Sequence, residues 1–249
     1  MTSLNFQPRV PVFDANVGVG HRHDRPSPFS EANELLEEMR RRGVDRAVIY
    51  HLQGEAISAI RGNEALPGWA DEAVSLQWMA GPGDDSLRQL KGFHATERVE
   101  SVRLHSPEEG RVPFLDWLYG PLLEWLSAEG IPLWVSLADG SPAEIVDTLQ
   151  RFPDLRVVLL GAHYMHSTMI RPMLRHLPKA YLELSRFENL GGVEALIAEV
   201  GAGRLIYGSY FPRYAMGAML FYLHHLEIDD SDLAAICAGN LERLLRGET

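Results

Sequence analysis

Short apolar runs alternate with amphipathic stretches along nearly the whole chain. Residues 10–16 read as a first strand. Leu35, Leu36 and Met39 then share one helical face, with Ser30 as the expected N-cap and Gly43 as the left-handed stop. Residues 46–51 follow as a second strand, so this opening stretch predicts a βαβ unit. Further strands are expected over 91–95, 101–105, 131–137, 156–160, 180–185 and 204–208, and helices over 71–80, 115–129, 142–152, 168–176, 193–200, 214–225 and 231–245. No linker, internal repeat or low-complexity segment interrupts the order. Eight strands alternating with helices in 249 residues predict one α/β domain over 1–249, a (β/α)8 TIM barrel. An open doubly wound sheet fits less well, because the first βα turn holds only Gly18-Val-Gly20 of a dinucleotide-binding glycine motif.

Composition narrows the function more by exclusion than by choice. With 34 acidic against 23 basic residues the formal charge is -11, which argues against nucleic acid as a partner. No apolar run approaches the ~18 residues of a membrane span, and the N-terminus lacks a basic-then-apolar leader, so a cytoplasmic protein is expected. The single Cys237 excludes an intrachain disulfide and a cysteine-rich zinc site; its apolar surroundings predict buried packing. Only Lys91 and Lys179 are lysines, leaving a Schiff-base or carboxylated lysine two places to be.

In a barrel the chemistry gathers where strands end. Those positions hold Asn16, His51, His94, His105, Ser136, Asp139, His163, His166, Glu183, Ser185, Ser209 and Tyr210. Five of the ten histidines fall there, although each also has an ordinary reading as a satisfied rim or interior residue. His21 and His23, beside Asp24, have the i, i+2 spacing of a shared metal site on a strand, but they lie past the strand in a Gly/Pro loop that fixes no such geometry. His224 and His225 point about 100° apart on a helix and make no site.

Several landmarks, in order, resemble the amidohydrolase-related branch of the amidohydrolase superfamily. Val12-Phe-Asp14-Ala-Asn16-Val-Gly18 is similar to the family's opening D-x-H-x-H strand, and the stretch from Leu35 to Val48 to its first helix and second strand. Gly130-Ile-Pro-Leu-Trp-Val-Ser136 and Phe152-Pro-Asp-Leu-Arg-Val-Val-Leu-Leu-Gly161 resemble the fifth and sixth strands. Arg204-Leu-Ile-Tyr-Gly-Ser-Tyr-Phe-Pro212 resembles the eighth, with its G-[TS]-D-x-P, and Gly239-Asn-Leu-Glu-Arg-Leu-Leu245 the closing helix. The resemblance implies a metal-dependent hydrolase or decarboxylase barrel, often a homodimer. It also places the family's metal ligands on Asn16, Gly18, Ser136, Gly161 and Tyr210, none of which keeps the family residue. The fourth strand ends in His105, where some relatives carry a metal-bridging lysine. Asn and Ser are poor zinc ligands and glycine has no side chain, so the ordinary metal cofactor is not expected.

His163, two residues past Gly161, with Glu183 and His105, is the expected replacement: an acid–base set working without metal. Asn16, His51, His94, Ser136, Ser209, Tyr210 and Arg103 are the expected ligand pocket, with Arg103 or Arg186 meeting an anion. Three readings remain at this point. One is a hydrolase or decarboxylase-like lyase of a small carboxylated or cyclic metabolite. Another is a non-catalytic barrel that binds a metabolite or protein partner. The third is a hydrolase with a divalent metal such as zinc relocated to His21 and His23. The apolar segment 214–223 suits either a buried helix or a homodimer face.

Overall fold

All seven residues of β1 (Phe13–Val19) are buried, as a strand covered on both faces must be. It heads a parallel eight-stranded sheet whose neighbours follow chain order: β2 (Arg46–His51), β3 (Val74–Ala80), β4 (Ser101–Leu104), β5 (Leu133–Ser136), β6 (Val157–Leu160), β7 (Ala180–Glu183) and β8 (Leu205–Ile206). The computed structural model describes residues 6–21, 28–96, 99–105, 112–137 and 140–248. The Ala15 N–H donates to the Tyr207 carbonyl (3.1 Å) and the Gly18 N–H to the Phe211 carbonyl (2.7 Å), bringing the first strand back to the last. The result is a nearly closed (β/α)8 barrel.

The connecting helices are α1 (Ala32–Arg42), α2 (Leu52–Ala56), α3 (Ala59–Ala65), α4 (Asp84–Thr96), α5 (Asp116–Glu129), α6 (Pro142–Leu149), α7 (Ser167–His176), α8 (Gly192–Val200), α9 (Met216–Leu223), α10 (Asp230–Ala234) and α11 (Asn240–Arg246). None among the described residues is long and apolar enough to cross a membrane. Helix α11 closes the floor: Leu241 and Leu244 pack with Phe13, Val48, Val158 and Ile206. Arg46 at the start of β2 pairs with Glu242, and Arg156 just before β6 donates to the Leu244 carbonyl, so the helix is tied to separate strand starts. Between α10 and α11 a π-turn over Ala235–Gly239 leaves the Ile236 carbonyl to accept the Tyr207 N–H at 2.8 Å. That bond extends the very short β8. Cys237 is buried in this turn.

Two expectations are corrected. Residues 74–80 form a strand rather than a helix, because Trp78 and Ala80 pack into the outer core while Gln77 alternates to the other face. Asn63 secures it, its amide donating to the Met79 carbonyl (2.9 Å) and its Oδ1 accepting the Met79 N–H (2.7 Å). Residues 91–95 belong to α4, whose Phe93 stacks on Trp78 with ring centroids 4.2 Å apart. His94 therefore sits on an outer helix, accepting the Val99 N–H and lying 3.6 Å from Glu129, and is not a strand-end ligand. A smaller shift concerns α1: Glu31, not Ser30, is its N-cap, and Glu34 accepts both their N–H groups. Gly43 ends the helix at φ 71° as expected.

Candidate active site at the barrel mouth

A β-bulge in β1 decides what faces the mouth. Asp14 pairs with Ala47 and Val17 with Ile49, so Ala15 and Asn16 together oppose Val48. The bulge lets Phe13 and Ala15 join the floor, whereas Asn16 faces the mouth side chains of β4 and β7. Asp14 braces it: its Oδ1 accepts the N–H of Asn16 (3.0 Å) and of Ser209 (2.9 Å), tying β1 to the loop after β8. Burial pushes the Asp14 carboxyl up to about 6, against these bonds, which favour its charged form.

Asn16 joins two charged groups. Its Oδ1 accepts from Arg103 Nη1 (2.9 Å), and its Nδ2 donates to Glu183 Oε2 (3.3 Å). Arg103 Nη2 also donates to Glu55 Oε1 (3.0 Å), and Arg213 Nη2 to Glu55 Oε2 (3.1 Å), so one carboxylate bridges two guanidinium groups. The Arg103 guanidinium lies 4.0 Å over the Tyr50 ring and 5.8 Å from that of Tyr210, which also carries Arg213 at 4.9 Å. Glu183 is fully buried against Gly208 and accepts the Ser185 N–H and hydroxyl, both at 2.9 Å. Burial dominates there too, and pushes its carboxyl up to about 7.

Asn16, Arg103, Glu183, Ser209 and Tyr210 are thus brought together. The expected histidines are not. His163 caps a short turn over Tyr164–His166, accepting the Met165 N–H, and its ring lies 4.3 Å from that of His166. It opens on a rim cavity of about 320 Å³ with Tyr164, Met165, Arg186, Glu188 and Tyr214. His163 and Glu183 share no hydrogen bond, so the structure does not form the expected pair from them. His105 bonds through Nδ1 to the Gly54 carbonyl at 2.6 Å, which fixes the ring proton on that nitrogen. His51 caps α2, its Nδ1 accepting the Gln53 N–H; burial and nearby His21 lower its pKa. Those two histidines line a second rim cavity, of about 410 Å³, with Phe29 and Trp69. Ser136 ends β5 half-buried. His23, Asp24 and Asp139 lie outside the described residues.

The residues 20–247 match the amidohydrolase family. The chain belongs to that family. No curated protein matches it, but solved structures do. An uncharacterised TIM-barrel protein from Bordetella bronchiseptica is 17% identical with a TM-score of 0.72, over 96% of this chain and 99% of that one. For 5-carboxyvanillate decarboxylase from Sphingomonas paucimobilis the values are 14%, 0.70, 95% and 99%. A dihydroxybenzoic acid decarboxylase from a Polaromonas species, with bound manganese and the inhibitor 2-nitroresorcinol, gives 12%, 0.71, 95% and 97%. At such identities the shared feature is the fold.

Within this amidohydrolase-family barrel the positions assigned to metal ligands have distinct surroundings. A Cβ on Gly18 would stand 2.5 Å from Leu52 Cδ2, so that space is filled. Gly161 (φ 69°) and Tyr210 (φ 56°) have left-handed backbones. Among the described residues no three His, Cys, Asp or Glu side chains gather as a metal site. Strand-end reading missed Glu55 and Arg213. Glu55 lies on α2, four residues past the end of β2, and Arg213 follows the Phe211-Pro212 cis bond. The available signal was the presence of charged residues just beyond strands two and eight.

Proposed function

We propose that this amidohydrolase-family barrel acts on a small carboxylated or cyclic metabolite, as a hydrolase or decarboxylating lyase, without the family's metal centre. The residues at the five ligand positions do not fit a divalent metal. Asn16 is engaged by a guanidinium, Leu52 fills the space at Gly18, and Tyr210 lies against two arginines. The relocated-zinc reading turns on His21 together with His23, and His23 lies outside the described residues. The observation that carries the reading is Glu183, a carboxyl held by Ser185 and Asn16 and raised to about 7, where it can both give and take a proton at neutral pH. Arg213, partly exposed beyond β8, and Arg186, which lines the rim cavity beside His163, supply positive charge for a substrate carboxylate.

The test is turnover of a panel of aromatic and heterocyclic carboxylic acids and cyclic esters or amides, with and without a chelator. Activity indifferent to chelation and lost in Glu183→Gln, with ligand binding kept, supports the reading. Activity that disappears on chelation defeats it. A second reading, a non-catalytic metabolite-binding barrel, is favoured by the complete burial of Glu183, since a proton-transfer group must reach its substrate. Binding without turnover across the panel would select it.

A further inference from the structure

Arg103 is 3% exposed, yet its guanidinium is surrounded as a bound cation would be. Asn16 Oδ1 (2.9 Å) and Glu55 Oε1 (3.0 Å) accept from it, the Tyr50 ring lies beneath it at 4.0 Å, and Glu183 lies one hydrogen bond further on through Asn16. An oxygen set of amide and carboxylate is what a hard divalent cation also seeks. Asn16 is moreover where the first-strand metal ligand of the family falls. A guanidinium is always charged, and a second cation at hydrogen-bond distance would meet repulsion that burial screens poorly.

We propose that Arg103 is a resident cation of the barrel: it shares Glu55 with Arg213, supplies positive charge to Asn16, and by its presence keeps divalent metals out of the mouth. The proposal rests on the metal-independent reading above but concerns occupancy of the site, so its test needs no turnover.

Melting temperature and bound metal are measured for the wild type, Arg103→Ala and Arg103→Lys, with and without manganese or zinc at about 1 mM or guanidinium at about 10 mM. Arg103→Ala is expected to melt below the wild type. Metal or guanidinium should recover at least half of the deficit, and about one equivalent of metal should be retained. The wild type and Arg103→Lys should retain none and be unmoved by metal. An equivalent of metal in the wild type with Arg103 in place overturns both this proposal and the metal-independent reading. A metal-free wild type whose Arg103→Ala variant answers to no added cation overturns this proposal alone. Should Arg103→Ala fail to fold even with guanidinium present, Asn16→His decides: metal uptake there, beside an intact Arg103, overturns the proposal, and none supports it.

Discussion

Ionised Glu183 should make the fold less stable as pH rises, and the size follows from its surroundings. Its carboxyl accepts three hydrogen bonds, from the Ser185 N–H, the Ser185 hydroxyl and Asn16 Nδ2, all favouring the charged form. Complete burial opposes them and prevails, raising the group from 4.5 to about 7. Between those values the folded chain holds a proton that the unfolded chain has released. Stability from this group is therefore fully present below pH 4.5, falls as pH rises toward 7, and is flat above. At about 1.4 kcal/mol per pH unit, the interval amounts to about 3 kcal/mol. Glu183→Gln cannot ionise, so urea unfolding followed by circular dichroism should show the variant gaining on the wild type by 2 to 3 kcal/mol, roughly, between pH 5 and pH 8.5. The gain at high pH is reduced by the amide's poorer match to three donors, but its pH dependence is not. Parallel curves for the two proteins across that range would refute the claim that burial governs this carboxyl.

Three further substitutions probe the frame around the site. Gly208→Ala would place a Cβ 2.1 Å from Glu183 Oε1; the expected cost is about 1–3 kcal/mol in denaturant unfolding, and an unchanged midpoint would contradict the packing described. Asn63→Ala strips both hydrogen bonds from the Met79 backbone, which should cost about 2–4 kcal/mol and speed amide exchange in β3; exchange unaltered there would show that the strand does not depend on this side chain. Gln77 is wholly buried with neither amide atom bonded to protein. The near-isosteric Gln77→Met should raise the melting temperature by roughly 2–4 °C, and a fall would refute the claim that the amide is a net cost.

Periodicity reported the strands that are apolar on both faces, such as β2 and β6, because burial in a parallel barrel leaves a run of Val, Ile and Leu. It misplaced β3, although Val74-Ser-Leu-Gln-Trp78 alternates with the period of a strand, and gave His94 a strand end it does not have. Among candidate residues, Glu183, Ser209 and Tyr210 were legible because strand order sends them to one end of the barrel, whereas Asn16 needed the bulge in β1 to join them. The histidines are held by local bonds that the sequence does not announce, His105 by the Gly54 carbonyl and His51 and His163 as caps. An imidazole nitrogen that accepts a nearby backbone N–H, as in His51 and His163, is spent on a local cap. No spacing along the chain distinguishes that from a catalytic group.

By itself, then, the sequence determined the barrel and its single domain, since these depend on pattern, while the resemblance alone implies that other residues stand at the family's metal-ligand positions. The tertiary structure decided what stands in their place. A one-residue bulge turns Asn16 toward the mouth, and Arg103 from β4, Glu55 from α2 and Arg213 from beyond β8 meet around it. The Arg103–Asn16 bond spans 87 positions of the chain and the Arg213–Glu55 bond 158. Contacts of that separation are set by how the strands close on one another, which leaves no periodic trace in the residues that make them.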